Sequence, residues 1–508
     1  MSRRSFWIIT AATILLELFL HMITAGNYQL HRDEMLYFAM GSHPDWGFAS
    51  TPPAMSFLAF LIKSVAGYNE VAVKFFPALA GAVILLLIAL SIRELGGGRM
   101  ALLTACLAFL CSTAMLRTCS LFMPVVFELL FWTLFLYSLL LLIHRQDPKF
   151  WIAAGISFGL AFLNKYSILV LGSSVIISLL LTRQRRLLWS AYVPVAAGCA
   201  LIIMLPNILW QFRHNFAVYT HMQELYRTQL VNVAVGTFLL EQLLGSFSAL
   251  PVWLAGVVGL LFIRAERQYR LFSFLFLLVL VFFLLLKGKP YYTLGIYPMM
   301  FAFGGWILEK YFRKMIPSVL VFVLLFGLLN LPFGLMLLPQ GPMEKYCQFT
   351  AKYITAAPMR GEQNQYYPLP QDYMDMTGWQ ELAGLVNSVY GSLSEKEKGS
   401  CTIYANNYGQ AAAIDFYGKQ YGLPPAVCLN DSYVLWAPDS IGSENFIVSD
   451  HQLGDIPRLF GSFTKVGEIH NPYFRENGLK VYLCRDPKPE LNDFFISRIR
   501  EKKAIYGF

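Results

Sequence analysis

Apolar runs of bilayer-crossing length recur along this chain, and they leave few folds open to it. About 20 apolar residues are needed to cross the hydrocarbon core as a helix. Runs at 6–24, 76–93, 99–116, 123–143, 151–164, 167–182, 188–206, 243–263, 271–287, 292–308 and 316–338 predict eleven spans, and hence a polytopic α-helical membrane protein. Asn164-Lys165-Tyr166 divides 151–182, which is too long for one helix and short for two. The first run ends without a small-residue cleavage site, so it reads as an uncleaved span rather than a signal peptide.

Charge places these spans. Only 14% of residues are charged, against about 25% in soluble domains. Residues 1–343 hold 24 Lys+Arg and 12 Asp+Glu, a net of +12, whereas 344–508 hold 16 and 19, a net of −3. A basic membrane part suits anionic lipid surfaces and phosphate ligands rather than nucleic acid. The short connections Arg3-Arg4, Arg93–Arg99, Arg145–Lys149, Arg183–Arg186, Arg264–Arg270 and Lys310–Lys314 all fall on one side of an eleven-span arrangement. The positive-inside rule makes that side cytoplasmic. The N-terminus is then cytoplasmic, and loops 25–75 and 207–242 face outward with the C-terminal part.

The chain changes character near Pro339-Gln340-Gly341-Pro342, so the expected domains are a membrane part, 1–343, and an extracytoplasmic part, 344–508. In the latter, Cys401–Ala405, Ser432–Trp436, Asn445–Val448 and Leu479–Leu483 read as strands and Trp379–Val386 as a helix, which together predict a small α/β domain. Its cysteines, Cys347, Cys401, Cys428 and Cys484, could form two disulfides in an oxidising compartment, with three connectivities open. The segment 54–66 is too short to cross and reads as a helix lying in the outer interface; 216–242 has room for another. No cysteine or histidine spacing points to a zinc site, although a divalent metal remains open as a cofactor.

The polar residues that anchoring does not require lie on outward loops. The first loop carries His31-Arg32-Asp33-Glu34-Met35-Leu36-Tyr37. Asp33 and Glu34 could cap a helix or face water. Equally, a carboxylate here could take a proton from an acceptor hydroxyl or hold an acceptor or metal. His31 is an alternative base, and Arg32 could pair with Glu34. Arg117, Lys165, Arg213, Lys287 and Lys289 fall near outward ends of different spans. Each could simply snorkel, but together they would suit a phosphate. Lys287-Gly288-Lys289-Pro290-Tyr291-Tyr292 supplies charge and two rings at once. Within the spans, Glu17 and His21 are four residues apart and should satisfy each other. Glu128 is a functional candidate by its depth, or a structural partner of Arg117 or a neighbouring span. His214 could carry a proton, and Tyr219, His221 and Tyr226 could line an acceptor groove.

The ordered set Asp33-Glu34, Trp46-Gly47 with Pro52-Pro53, Met123–Glu128 with Trp132, Leu163-Asn164-Lys165-Tyr166, Pro206-Asn207 with Trp210, and Lys289-Pro290-Tyr291-Tyr292 with Pro298 resembles the GT-C membrane glycosyltransferases. The branch is that of the dolichyl-phosphate-mannose protein mannosyltransferases and the bacterial lipid A aminoarabinose transferase. The resemblance covers about residues 1–340, and Asn407–Ala411 and Gly422-Leu423-Pro424 resemble the bacterial extracytoplasmic tail. It implies a polyprenyl-phosphate-linked sugar donor, a lipid, protein or glycan acceptor reached from the outer face, and inverting transfer; the compact loops and the lack of an endoplasmic-reticulum retention signal lean towards a bacterial inner membrane. Asp33 would map onto the first-loop acid, with Lys165, Lys287 and Lys289 near the lipid phosphate; His31, Tyr37, Glu128, Tyr166 and His214 are candidates to meet the acceptor or support the site. Many relatives carry a histidine directly before the two prolines, where this chain has Thr51, and an aspartate in place of Glu128. A transporter or flippase is the alternative, but the chain lacks the inverted halves it would predict. A non-catalytic scaffold would leave the acidic pair without a role.

Overall fold

The computed structural model describes residues 1–362 and 365–506. By internal contacts the chain forms two compact units.

The first unit comprises Met1–Gly26, Val73–Pro206 and Arg227–Leu337 and is helical. Among the described residues, six helical segments are long and apolar enough to cross a membrane: Arg3–Thr24, Glu70–Glu94, Pro124–Arg145, Tyr192–Arg213, Arg264–Leu285 and Arg313–Leu335. The last turns of Tyr192–Arg213 and the first of Glu70–Glu94 pass into the second unit. Three further expected spans are bent pairs. Arg99–Cys111 and Thr113–Cys119 meet at 68°, Ile168–Leu180 and Arg183–Trp189 at 116°, and Val235–Gly245 and Leu250–Phe262 at 109°. Each of the eleven expected runs is helical, but Phe150–Asn164 and Tyr297–Tyr311 have only 15 residues each. By length and composition six to nine spans qualify, fewer than eleven. The break at Asn164 is real: Lys165 is extended, with φ −163° and ψ 133°.

Small residues let these helices pack closely, as membrane helices require. A Cβ on Gly256 would stand 2.6 Å from Met300 O, and one on Gly304 would run into Val252 O. Helices Leu250–Phe262 and Tyr297–Tyr311 therefore cross backbone to backbone. Glu17 and His21 pair at 3.0 Å as expected, and His21 Nδ1 also meets Ser120 Oγ at 3.0 Å. Ile8, Leu15, Phe19 and Ile23 on the first helix are exposed, an apolar face suited to lipid.

The second unit comprises Asn27–Ala72, Asn207–Tyr226 and the chain from Leu338 onward. Contacts thus group most of the first expected loop and the start of the second with the C-terminal residues, a division that composition along the chain does not reveal. The expected helix 54–66 is present as Ala54–Ala66, and 216–242 holds Ala217–Thr228 and most of Val235–Gly245. Four strands, β1 (Cys401–Ala405), β2 (Asn445–Asp450), β3 (Phe460–Glu468) and β4 (Lys480–Pro487), form a sheet in the order β1-β2-β4-β3. β1 and β2 are parallel, and the other pairs are antiparallel. Phe446, Val448, Phe460, Tyr482, Phe495 and Ile499 build part of its core.

Two expectations fail here. Ser432–Trp436 is not a strand; Asp431–Leu435 is a 3-10 turn. Asp431 adopts a left-handed backbone (φ 51°) and its carboxylate accepts from Ser432 N at 2.6 Å, a local bond that competes with a strand. The two disulfides are also absent, all eight cysteines being free thiols. Cys401 on β1 and Cys484 on β4 are separated by β2, so their backbones lie two strand spacings apart, about 10 Å, beyond the reach of a disulfide at about 7 Å.

Candidate active site

Each unit carries one cluster of the expected residues. In the first unit, Pro124 opens the helix Pro124–Arg145 at its first position, where a missing N–H costs nothing. One turn on, Glu128 is buried. Its Oε2 lies 2.7 Å from Lys165 Nζ, and its Oε1 accepts from Ser167 Oγ. Asn164 Nδ2 donates to Pro124 O at 2.8 Å, so the break after Phe150–Asn164 is what delivers Lys165 to Glu128. Arg117, the other candidate partner, donates from Nη1 to Phe333 O at 3.2 Å.

Lys165 Nζ also sits 4.1 Å from the Tyr292 ring centre and 5.4 Å from that of Tyr291, within cation–π range. Lys289 Nζ lies 5.9 Å from Tyr291. Lys287 adopts a left-handed backbone (φ 52°), turning the chain into the 3-10 segment Pro290–Ile296. Gln242 locks that segment, donating to Pro290 O at 2.9 Å and accepting from Thr293 Oγ1 at 2.6 Å and Tyr297 OH at 2.9 Å. Neither Gln242 nor Ser167 stands out in the sequence, because a single amide or hydroxyl in an apolar run has no periodic signal. Tyr166 packs edge-on against Phe162 at 4.9 Å. Two lysine ammonium groups, Lys165 and Lys289, thus face the rings of Tyr291 and Tyr292.

In the second unit, the acidic pair divides. His31 is the N-cap of the helix Arg32–Met40. His31 N donates to Glu34 Oε2 at 2.7 Å, and Asp33 N donates to His31 Nδ1 at 3.1 Å, a reciprocal capping box. Glu34 is fully buried in that role, and Arg32 does not pair with it. Arg32 Nε instead lies 3.7 Å from Asp33 Oδ1 and 3.5 Å from Asp375 Oδ1. Tyr37 is on the buried side of the same helix. Asp33 keeps 31% of its side chain exposed, and Tyr408 OH donates to its Oδ1 at 2.8 Å.

Asp375, which sequence reasoning missed, organises this cluster. Its side chain is buried and accepts from Arg475 Nη1 at 2.8 and 3.1 Å, while His31 Nε2 lies 3.6 Å away. Burial works against its charge, but Arg32, His31 and Arg475 outweigh it and hold the carboxyl well below the usual carboxylate range. For His31, burial opposes the imidazolium, yet Asp33, Asp375 and Asp372 outweigh burial and lift the ring to about 9. Protonation of Nδ1 would forfeit the contact from Asp33 N, so cap and charge compete at this ring.

The start of the second loop meets the first loop at Asp45 and Trp46. Trp210 Nε1 donates to Asp45 Oδ2 at 2.8 Å, and Asn207 Nδ2 donates to Trp46 O at 2.6 Å. His214 stacks on Trp210 at 4.1 Å. Arg213 is exposed at the end of its helix. Tyr219 and Tyr226 are exposed, and His221 half-buried, on Ala217–Thr228. Among the described residues, no three His, Cys, Asp or Glu side chains converge as metal ligands.

Apolar helices of crossing length and broken spans define an integral membrane protein, which also carries a small mixed sheet. Residues 50–210 match the family model of the dolichyl-phosphate-mannose-protein mannosyltransferases. The fold is shared with ArnT from Cupriavidus metallidurans. The undecaprenyl-phosphate-bound crystal structure of ArnT aligns with TM-score 0.65 and 12% identity, and the apo structure with TM-score 0.65 and 13% identity. Each alignment covers 95% of this chain and 98% of that one. No curated protein matches in sequence.

Proposed function

We propose that the protein is an inverting glycosyltransferase. It takes a sugar from a polyprenyl-phosphate donor and passes it to a lipid, protein or glycan acceptor at the outer face of a bacterial inner membrane. The observation that carries this reading is the placing of Lys165 and Lys289 beside Tyr291 and Tyr292, in a fold shared with a protein crystallised with undecaprenyl phosphate.

In such a donor the leaving group is already a phosphate. The acceptor oxygen attacks the anomeric carbon, the bond from that carbon to the phosphate oxygen breaks, and the phosphate leaves on its lipid with the electron pair. Lysines that hold the phosphate stabilise the charge developing there. An acceptor hydroxyl must also lose its proton, and Asp33 is the carboxylate assigned to receive it; for a phosphate acceptor Asp33 would orient rather than deprotonate. Glu34 caps the helix that carries Asp33. The basic short connections support a cytoplasmic N-terminus with the C-terminal residues outside.

Two measurements test the reading. Purified full-length protein should bind undecaprenyl phosphate, and Lys289→Ala should weaken that binding about tenfold, more at low salt than at high. In a deletion strain, mass spectrometry of glycolipids and glycoproteins should identify the lost modification, and Asp33→Asn should fail to restore it. Normal modification by well-expressed D33N would overturn the proposal. Repeating turnover with EDTA reads any requirement for a divalent cation.

A further inference from the structure

The residue that holds Asp33 comes from the far end of the chain. Tyr408 is the first residue of the helix Tyr408–Tyr417, capped by Asn407, whose Oδ1 accepts from Gln410 N at 3.1 Å. Asn407 Nδ2 and Gln410 Nε2 both donate to the buried Glu476, at 3.0 and 2.6 Å, and Ser449 on β2 donates to Gln410 Oε1 at 2.9 Å. Gly409 follows, and a Cβ there would already touch Arg32 Cβ at 3.4 Å and Trp379 at 3.2 Å. The helix start is thus anchored to the sheet and pressed onto the residue before Asp33. From it Tyr408 presents its ring to the Arg32 guanidinium at 5.3 Å and its hydroxyl to Asp33 Oδ1 at 2.8 Å. Burial, reinforced by Asp33, holds that hydroxyl protonated well above the ordinary tyrosine range, so it acts as a donor.

We propose that Tyr408 is a positioning residue for Asp33: its hydroxyl fixes Oδ1 and so directs Oδ2 to the reacting acceptor. The inference rests on the assignment of Asp33 above. Among the described residues, the Oδ2 contact is His31 Nδ1 at 3.9 Å, too long for a hydrogen bond, so this oxygen is left for substrate. A carboxylate pinned at one oxygen loses little rotamer freedom on meeting substrate, and that orientation lowers the barrier rather than tightening ground-state binding.

Tyr408→Phe keeps the ring over Arg32 and removes only the donor. In membranes of the deletion strain, Y408F should lower turnover about tenfold. Its binding of undecaprenyl phosphate and its unfolding temperature should match the wild type. Tyr408→His, an aromatic ring with its own donor, should recover part of the loss, and it carries the test if Y408F does not accumulate. Wild-type turnover by Y408F alongside an inactive D33N overturns this inference alone. Lipid binding or unfolding temperature falling in step with turnover also overturns it, by making Tyr408 a general structural residue. Full turnover by D33N sinks the parent reading as well, so the two failures are distinguishable.

Discussion

Lys165 and Glu128 form an ion pair of 2.7 Å across a helix break, with the lysine also facing the Tyr292 ring at 4.1 Å. The pair joins a buried carboxylate to an ammonium that is 20% exposed. It therefore fixes where the cation stands while leaving part of it open to an anion. Removing one partner leaves the other charge unsatisfied, which costs more than the pair itself contributes.

Lys165→Met should accordingly destabilise the protein by on the order of 3 kcal/mol, because Glu128 is left buried and unpaired. The double variant K165M/E128Q should recover most of that loss. Thermal unfolding of the full-length protein in detergent reads both; equal destabilisation by the single and double variants would mean the pair is not the source.

Asp375→Ala should be among the most damaging changes in the second unit. It strips the shared carboxylate from Arg32, Arg475 and His31, leaving three cationic groups with no common acid. A loss of about 3–5 kcal/mol is expected, seen as early unfolding and faster limited proteolysis of the C-terminal residues. Asp439→Ala, which removes an exposed carboxylate from Lys503, should change little.

The raised affinity of His31 for a proton gives the second unit a pH dependence. Its folded value of about 9 lies above the ordinary 6.5. The imidazolium thus contributes its full stability below pH 6.5 and loses it as pH rises through 9. His31→Asn keeps a good helix cap without the charge, so the fall in stability between pH 6.5 and 9 should flatten. An unchanged slope in H31N would assign that dependence to another group.

Gly47→Ala should destabilise by about 1–3 kcal/mol, since its Cβ would run into the indole of Trp210. The indole is held in place by its bond to Asp45 and cannot swing away freely. Trp210→Leu in the same chain should relieve much of the clash, so that the two changes are not additive.

Much of this was legible along the chain because the relevant forces are local or nearly so. Bilayer-length apolar runs, the basic connections, the Glu17–His21 pair, the break at Asn164 and the helix Ala54–Ala66 all follow from spacing of a few residues. β1, β2 and β4 showed themselves as short β-branched and aromatic runs. β3 did not, because Ser462, Thr464 and Lys465 on it are exposed and give no apolar alternation. Asp33 and Glu34 look equivalent in sequence. Only the capping box at His31 consumes one of them and leaves the other.

The sequence by itself therefore determined the solvent this protein folds in, most of its helices, and which residue types line its outward loops. The tertiary structure alone decided which charges meet. Lys165 finds Glu128 from 37 residues away, and Tyr408 finds Asp33 from 375. Asp375 gathers Arg32 and Arg475. The reason is physical: apolar burial is nearly independent of partner and can be read from pattern, whereas a buried charge is tolerable only beside a particular opposite charge or donor. The fold, not proximity in sequence, chooses that neighbour.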